Sequence, residues 1–241
     1  MCKAFSCLIL KNGEVVWKFG VDSHEDLIAP LKLPDDGRDQ KFVRIEIAPA
    51  NGNYIKPDEW IFRVDQTDVP AWFRKEYAEK MCRKSLKDWR EKLDKILTHK
   101  DIINPFKIKH RQSVSKEEIS LLEQWDSVRA SVGASVWASV GASVGASVGA
   151  SVGDSVGDSV RASVGASVWD SVWDSVWAYI GSFFHLSRDA WKYTDKIPGK
   201  GYPFQPCVDL WERGLVPSFD GKTWRLHAGK DAKIVYEWKK P

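Results

Sequence analysis

Cysteine is scarce: Cys2, Cys7, Cys82 and Cys207 are the only four in 241 residues, and they are scattered. None forms a CxxC pair and none has histidine at zinc-ligand spacing, so neither a disulfide scaffold nor a structural zinc site is expected. Free thiols point to a reducing, cytoplasmic setting. No run of about 18 apolar residues occurs, so no membrane-spanning helix is expected. The short apolar run of residues 1–10 is followed by no small-residue cleavage site of the kind a signal peptide carries. Neither sign of charge dominates: 36 basic residues face 33 acidic ones, a net of +3. That is no electrostatic footprint for nucleic acid or an anionic membrane. No GxxxxGK[ST] or GxGxxG follows a strand, so a phosphate cradle is missing as well, and no cofactor is expected. Apolar material, by contrast, is plentiful. Hydrophobic residues make up 43% of the chain, and tryptophan occurs 13 times. A core is affordable and global disorder is excluded.

Residues 1–110 read as an N-terminal α+β domain. Ala4 to Leu10 and Glu14 to Gly20 are strand-like runs joined by Lys11-Asn12-Gly13. Asn-Gly supplies the positive-φ residues that a hairpin turn needs. Ser23 caps a short helix with an acidic first turn. Lys41 to Ala48 alternates Phe42, Arg44 and Glu46 with Val43, Ile45 and Ile47, which predicts a half-buried strand with the first set on the wet face. Trp60 to Val64 is a further strand. Pro70 then opens a long helix over residues 70–98. Phe73, Tyr77, Met81, Cys82, Leu86, Trp89, Leu93 and Ile96 form its apolar stripe. The other side carries an excess of four positive charges. An acidic partner or nucleic acid would be held there by Arg74, Lys80, Arg83, Lys84, Lys87 and Arg90. The plainer alternative is a solvated face laced with intrahelical ion pairs.

Residues 111–126 read as a helical connector, opened by the capping-box pattern Ser115-Lys116-Glu117-Glu118. Residues 127–178 are thirteen unbroken tetrapeptides of the form Ser-Val-x-Ala/Asp. Serine and valine never vary. The third slot is Gly in seven units, Trp in four (Trp137, Trp169, Trp173, Trp177) and Arg in two (Arg129, Arg161). The fourth is Ala, or Asp at 154, 158, 170 and 174. Such regularity marks a repeat architecture.

Two folds compete for the repeat. In an α-helix a four-residue step turns the chain by about 400°, so the valine stripe drifts by about 40° per unit and cannot face one partner along 52 residues. Each Gly also costs roughly 1 kcal/mol relative to Ala in a helix. In a β-solenoid, alternation sets Val and Ala/Asp on one face and Ser and the variable slot on the other. Propensity and drift favour the solenoid. The helical flanks, with Trp125 before the repeat and Ile180 and Phe184 after it, keep a helical bundle as the alternative. The expected fold class is therefore α+β: an N-terminal α+β unit, a central tetrapeptide-repeat β-solenoid, and a cap of one helix and a β-hairpin over residues 179–241. In the cap Pro206 starts the helix and Gly214 stops it. Thr223 to His227 and Lys233 to Glu237 form the hairpin.

Tandem SVxA/SVxD arrays closed by Pro203-Phe204-Gln205, Cys207-Val208-Asp209-Leu210-Trp211 and Pro217-Ser218-Phe219-Asp220-Gly221-Lys222-Thr223-Trp224-Arg225-Leu226-His227 resemble a group of uncharacterised bacterial and phage proteins. The resemblance implies no activity, cofactor or site.

Chemistry is sparse. Cys207 with His227 is the one nucleophile-and-base combination, and a buried thiol beside a strand histidine is the plainer reading. His24, Glu25 and Asp26 point apart on a helix, so they do not make one metal site. The first functional expectation is a non-enzymatic binding or scaffolding protein that meets a protein partner through Arg129, Trp137, Arg161, Trp169, Trp173 and Trp177. Nucleic-acid binding by helix 70–98 and an enzyme built on Cys207 and His227 are the alternatives.

Overall fold

Asn12 and Gly13 make the first turn of the chain. The Asn12 side chain accepts from the Glu14 amide at 3.0 Å, and Gly13 takes a φ of 87° that other residues adopt only with strain. The turn joins strands β1 (Phe5–Leu10) and β2 (Val15–Val16), with Leu8 opposite Val16. The computed structural model of the chain describes residues 5–33, 41–49, 59–98, 100–109, 113–161 and 166–239, apart from the side chains of 147, 151 and 166–171. It divides into two units, Met1–Leu97 with Val140–Ser151 and Thr98–Ser139 with Val152–Pro241.

In the first unit β3 (Phe42–Ala48) pairs antiparallel with β1, and β4 (Ile61–Val64) with β3, giving the sheet order β2-β1-β3-β4. Alternation sorts the side chains. Phe5, Cys7, Ile9, Val43, Ile45 and Ile47 share one face and are all buried. Helix α2 (Lys75–Leu93) covers it: Trp89 meets the ring of Phe5 edge-on at 5.7 Å, and that of Trp60 at 6.0 Å. On the opposite face Leu8 and Phe42 pack with Leu27 and Ile28 of the short helix α1 (His24–Ile28). That cover corrects the expectation of a wet face on β3, because Phe42 and Glu46 are buried beneath it. Helix α2 starts later than Pro70, which sits in a turn closed by the Phe73 amide on its carbonyl. Its buried stripe is Ala78, Cys82, Leu86, Trp89 and Leu93; Tyr77 is exposed.

The second unit opens with α3 (Lys116–Val128). Its capping box is complete: Ser115 Oγ accepts from the Glu118 amide at 3.2 Å, and the Glu118 carboxylate accepts from the Ser115 amide at 2.7 Å. At the other end of the chain α7 (Gln205–Glu212), with Pro206 in its first turn, packs on α3 and on α6 (Ala166–Gly181). Trp211 of α7 stacks on Tyr179 of α6 at 4.7 Å, with the rings 11° from parallel. Three antiparallel strands follow: β5 (Val216–Phe219), β6 (Thr223–Ala228) and β7 (Lys233–Lys239), in that order. The expected hairpin is thus a three-stranded sheet. Pro217 conceals β5 in the sequence, yet an edge strand tolerates proline because one side of it needs no ladder.

The β-solenoid is overturned. The repeat is helical, forming α4 (Val132–Val144), α5 (Ala146–Arg161) and α6, while its first unit ends α3. Among the described residues no coil of a solenoid exists for residues 179–241 to cap; α7 and β5 pack against α6 instead. The drift argument fails because the helix is interrupted. Gly145, with a φ of 93°, ends α4. Over the four units of one helix the valines turn by about 120°, close to the width of an ordinary buried stripe. Val132, Val136, Val140, Val144, Val148, Val152, Val156, Val160, Val172 and Val176 are accordingly all buried. The propensity argument fails because packing outweighs it. A Cβ on Gly149 would lie 3.0 Å from Val140 of α4, and one on Gly153 would lie 3.6 Å from Ile180 of α6, so glycine lets neighbouring elements approach.

Candidate functional site

The variable slot follows each buried valine by one residue, about 100° round the helix, so it lies at the rim of the packed face. There α4 and α6 bring three tryptophans together. Trp137 stands edge-on to Trp177 at 6.2 Å and 88°, and Trp177 stands edge-on to Trp173 at 6.0 Å and 81°. Trp177 is half-buried beneath the group, while Trp137 and Trp173 remain 54% and 37% exposed. The side chain of Trp169 lies outside the described residues. Arg129 is committed elsewhere. Its guanidinium pairs with Asp174 at 2.6 Å and lies over the rings of Phe219 (4.8 Å) and Trp224 (5.5 Å). Arg161 is exposed in the last turn of α5, where a cation suits the helix dipole.

The basic face of α2 is largely engaged within its own unit. Arg74 donates to the carbonyls of Ala71 and Phe73 at 2.8 and 3.0 Å. Arg83 pairs with Glu79 at 2.7 Å and donates to the Trp60 carbonyl, and Arg90 pairs with Asp94 at 2.5 Å. Lys80, Lys84 and Lys87 are exposed along an open groove of about 640 Å³ shared with Arg83, Arg90 and Glu91.

Cys207 and His227 have separate partners. Cys207 is fully buried with its sulfur 4.0 Å from the Ser175 carbonyl, and burial pushes its thiol well above the ordinary range. The His227 ring lies 2.9 Å from the Ala232 carbonyl through Nδ1 and 2.7 Å from Ser218 Oγ through Nε2. The carbonyl requires a proton on Nδ1, so Nε2 accepts from the serine. This is the hydrogen-bond pattern of a nucleophile and its base. Both side chains are buried, however, and burial, reinforced by the Arg225 charge, lowers the pKa of His227. They tie β5 to β6 and offer a substrate no access.

One grouping escapes sequence reasoning. His24 meets neither Glu25 nor Asp26 in a ligand set. It stands with Glu46 of β3 and Asp65, just beyond β4, and the three donor groups lie within 4.8 Å of one another. His24 Nε2 is 3.1 Å from the Ile45 carbonyl, and Nδ1 is 3.2 Å from Asp65 Oδ2. Alternation puts Glu46 on the α1 face of the sheet, and only the docking of α1 adds the imidazole. A pocket of about 650 Å³ leads to this place, lined by Asp22, Ser23, His24, Glu25, Arg44, Asp65 and Gln66.

No helix among the described residues is long and apolar enough to cross a membrane. No family model, curated protein or solved structure matches the chain.

Proposed function

We propose that the chain is a non-enzymatic binding protein that recognises a protein partner through Trp137, Trp173 and Trp177. The observation that carries this is the exposure of Trp137 and Trp173 beside the buried valines described for the same repeat. An indole left half in water forgoes the stabilisation its apolar surface would gain on burial, about 25 cal/mol per Å². Aromatic anchors of this kind, already ordered by their mutual edge contacts, are the residues that dominate protein interfaces. The Arg129–Asp174 ion pair, on α6 beside Trp173, adds a polar rim. A cytoplasmic setting belongs to the same reading and is supported by the free thiols of Cys7, Cys82 and Cys207. The basic helix supports nucleic-acid binding less well, because Arg74, Arg83 and Arg90 are engaged within the unit.

The test is capture from host lysate with the full chain beside the Trp137→Ala/Trp173→Ala variant, followed by calorimetry with the purified partner. The expected result is a protein partner whose affinity falls at least about tenfold in the variant, with the urea midpoint little changed. Equal affinity for both chains, or a variant that does not fold, would remove the basis of the reading.

A further inference from the structure

The tryptophan group offers more than apolar area. A stacked ring pair, such as Tyr179 and Trp211 at 11° from parallel, covers one face of each ring. An edge-on pair covers one face at most. Trp137 and Trp173 both stand edge-on to Trp177, at 88° and 81°, and both are exposed. The face of an indole is the negative side of the ring quadrupole, and it attracts a cation more strongly than any other side-chain ring does. Among the described residues no lysine or arginine lies over Trp137 or Trp177. The cations that do lie over rings, Arg44, Lys92, Lys100 and Arg129, take other ones.

The charge of the presenting helices has one sign. Helices α4 and α6 contain no lysine or arginine, and their only charged residues are Asp170 and Asp174. Arg129 engages Oδ2 of Asp174, and the Asp174 side chain remains 40% exposed. Two carboxylates thus stand against one guanidinium. The chain already uses the same combination internally. Arg129 fills the repeat slot that Trp137, Trp173 and Trp177 fill elsewhere, and it lies over Phe219 and Trp224 with Asp174 alongside. Gly133 and Ala134, the neighbours of Trp137 one turn back on α4, are small, so they extend no broad apolar surface beside it.

Building on the reading of these tryptophans as a partner-binding surface, we propose that the partner meets them with a basic segment, its arginine or lysine side chains lying over the indole faces. A neutral apolar partner would gain from covering the rings but not from the charge of α6. An acidic partner would be repelled by it. A guanidinium or ammonium gains from both, and its methylene stem covers apolar ring surface as well.

The experiment follows the indole N–H signals of the isotope-labelled full chain by NMR. The chain is titrated at physiological salt with an arginine-glycine peptide, beside the same peptide with citrulline for arginine. Citrulline keeps the length and the planar head group and lacks the charge. The expected result is saturable shifts at Trp137 and Trp173, with the arginine peptide bound at least about threefold more tightly than the citrulline one. In Trp137→Leu/Trp173→Leu, which keeps apolar bulk without an indole face, that preference is expected to disappear. Both residues are exposed, so the fold survives the change, and equal far-UV circular dichroism is the check. Equal affinity for the two peptides, or no shift at Trp137 and Trp173 with either, would overturn the basic partner. A preference that persists in the leucine variant would overturn the role of the indole faces. In both cases the tryptophan surface itself still stands if the partner captured from lysate is lost in Trp137→Ala/Trp173→Ala, so the two failures are separable.

Discussion

The hydroxyl of Ser175 donates a 2.8 Å hydrogen bond to the carbonyl of Pro217, so a repeat serine of α6 is bonded to strand β5. Ser135 occupies the same slot of another unit and is equally buried, but its Oγ has no hydrogen-bond partner. Two serines that open identical Ser-Val-Trp-Ala units therefore carry different energies. Ser175→Ala leaves a buried carbonyl unsatisfied and is expected to cost roughly 1–3 kcal/mol. Ser135→Ala removes a buried hydroxyl that gains nothing there, and is expected to be neutral or mildly stabilising. Urea unfolding of the two variants beside the wild type measures the contrast.

His227 predicts an acid-sensitive step in stability. Burial lowers its pKa in the folded chain, whereas in the unfolded chain it titrates near the ordinary value of about 6.5. Between those two values the unfolded state binds more protons, so stability falls as pH drops below about 6.5 and levels off once the folded state also protonates. At pH 8 the contribution is fully present. In urea midpoints taken from pH 8 to pH 5, His227→Gln is expected to lose less than the wild type does. An identical loss in both chains would place the proton uptake on other groups.

Local chemistry made much of this fold legible. Asn12-Gly13 specified the first turn, the Ser115–Glu118 pair the start of α3, and Pro206 the start of α7. Longer-range packing was less visible. Glu46 alternates with Val43, Ile45 and Ile47 as a wet-face residue should, and nothing local says that α1 covers that face. Asp65 joins His24 across 41 positions of sequence, through a sheet register that residue patterns do not fix. The repeat resisted reading for the opposite reason: its units are so alike that Gly145, which ends a helix, is indistinguishable from Gly141, which continues one. Without that break the valine drift argued against a helix. Helices this short bury ten valines because the break resets the stripe.

The thiol of Cys207 provides a direct test of its lack of chemistry. It is fully buried, and burial pushes it up, away from the thiolate form that reacts. In the native chain at pH 7.5, iodoacetamide is expected to leave Cys207 unlabelled over hours, and to label it fully once urea unfolds the protein. Peptide mass spectrometry reads the site. Rapid native labelling of Cys207 would return it to the list of candidate nucleophiles.

Gly141 and Gly145 stand four residues apart in the same slot of successive units, yet alanine is expected to act on them with opposite sign. Gly141 lies inside α4, and a Cβ there meets nothing within 4 Å. Gly141→Ala therefore gains helix propensity and reduces the freedom of the unfolded chain, for a stabilisation of about 0.5–1 kcal/mol. Gly145 holds a φ of 93°, and its amide caps the Gly141 carbonyl at 3.1 Å. A Cβ on it is strained by the backbone and would also lie 3.4 Å from an Asp22 carboxylate oxygen. Gly145→Ala is expected to destabilise by about 1 kcal/mol or more. Urea midpoints that move in opposite directions establish that Gly145 is the residue that turns the repeat. If both variants are stabilised, α4 and α5 run on as one helix, and the drift of the valine stripe again counts against a helical repeat.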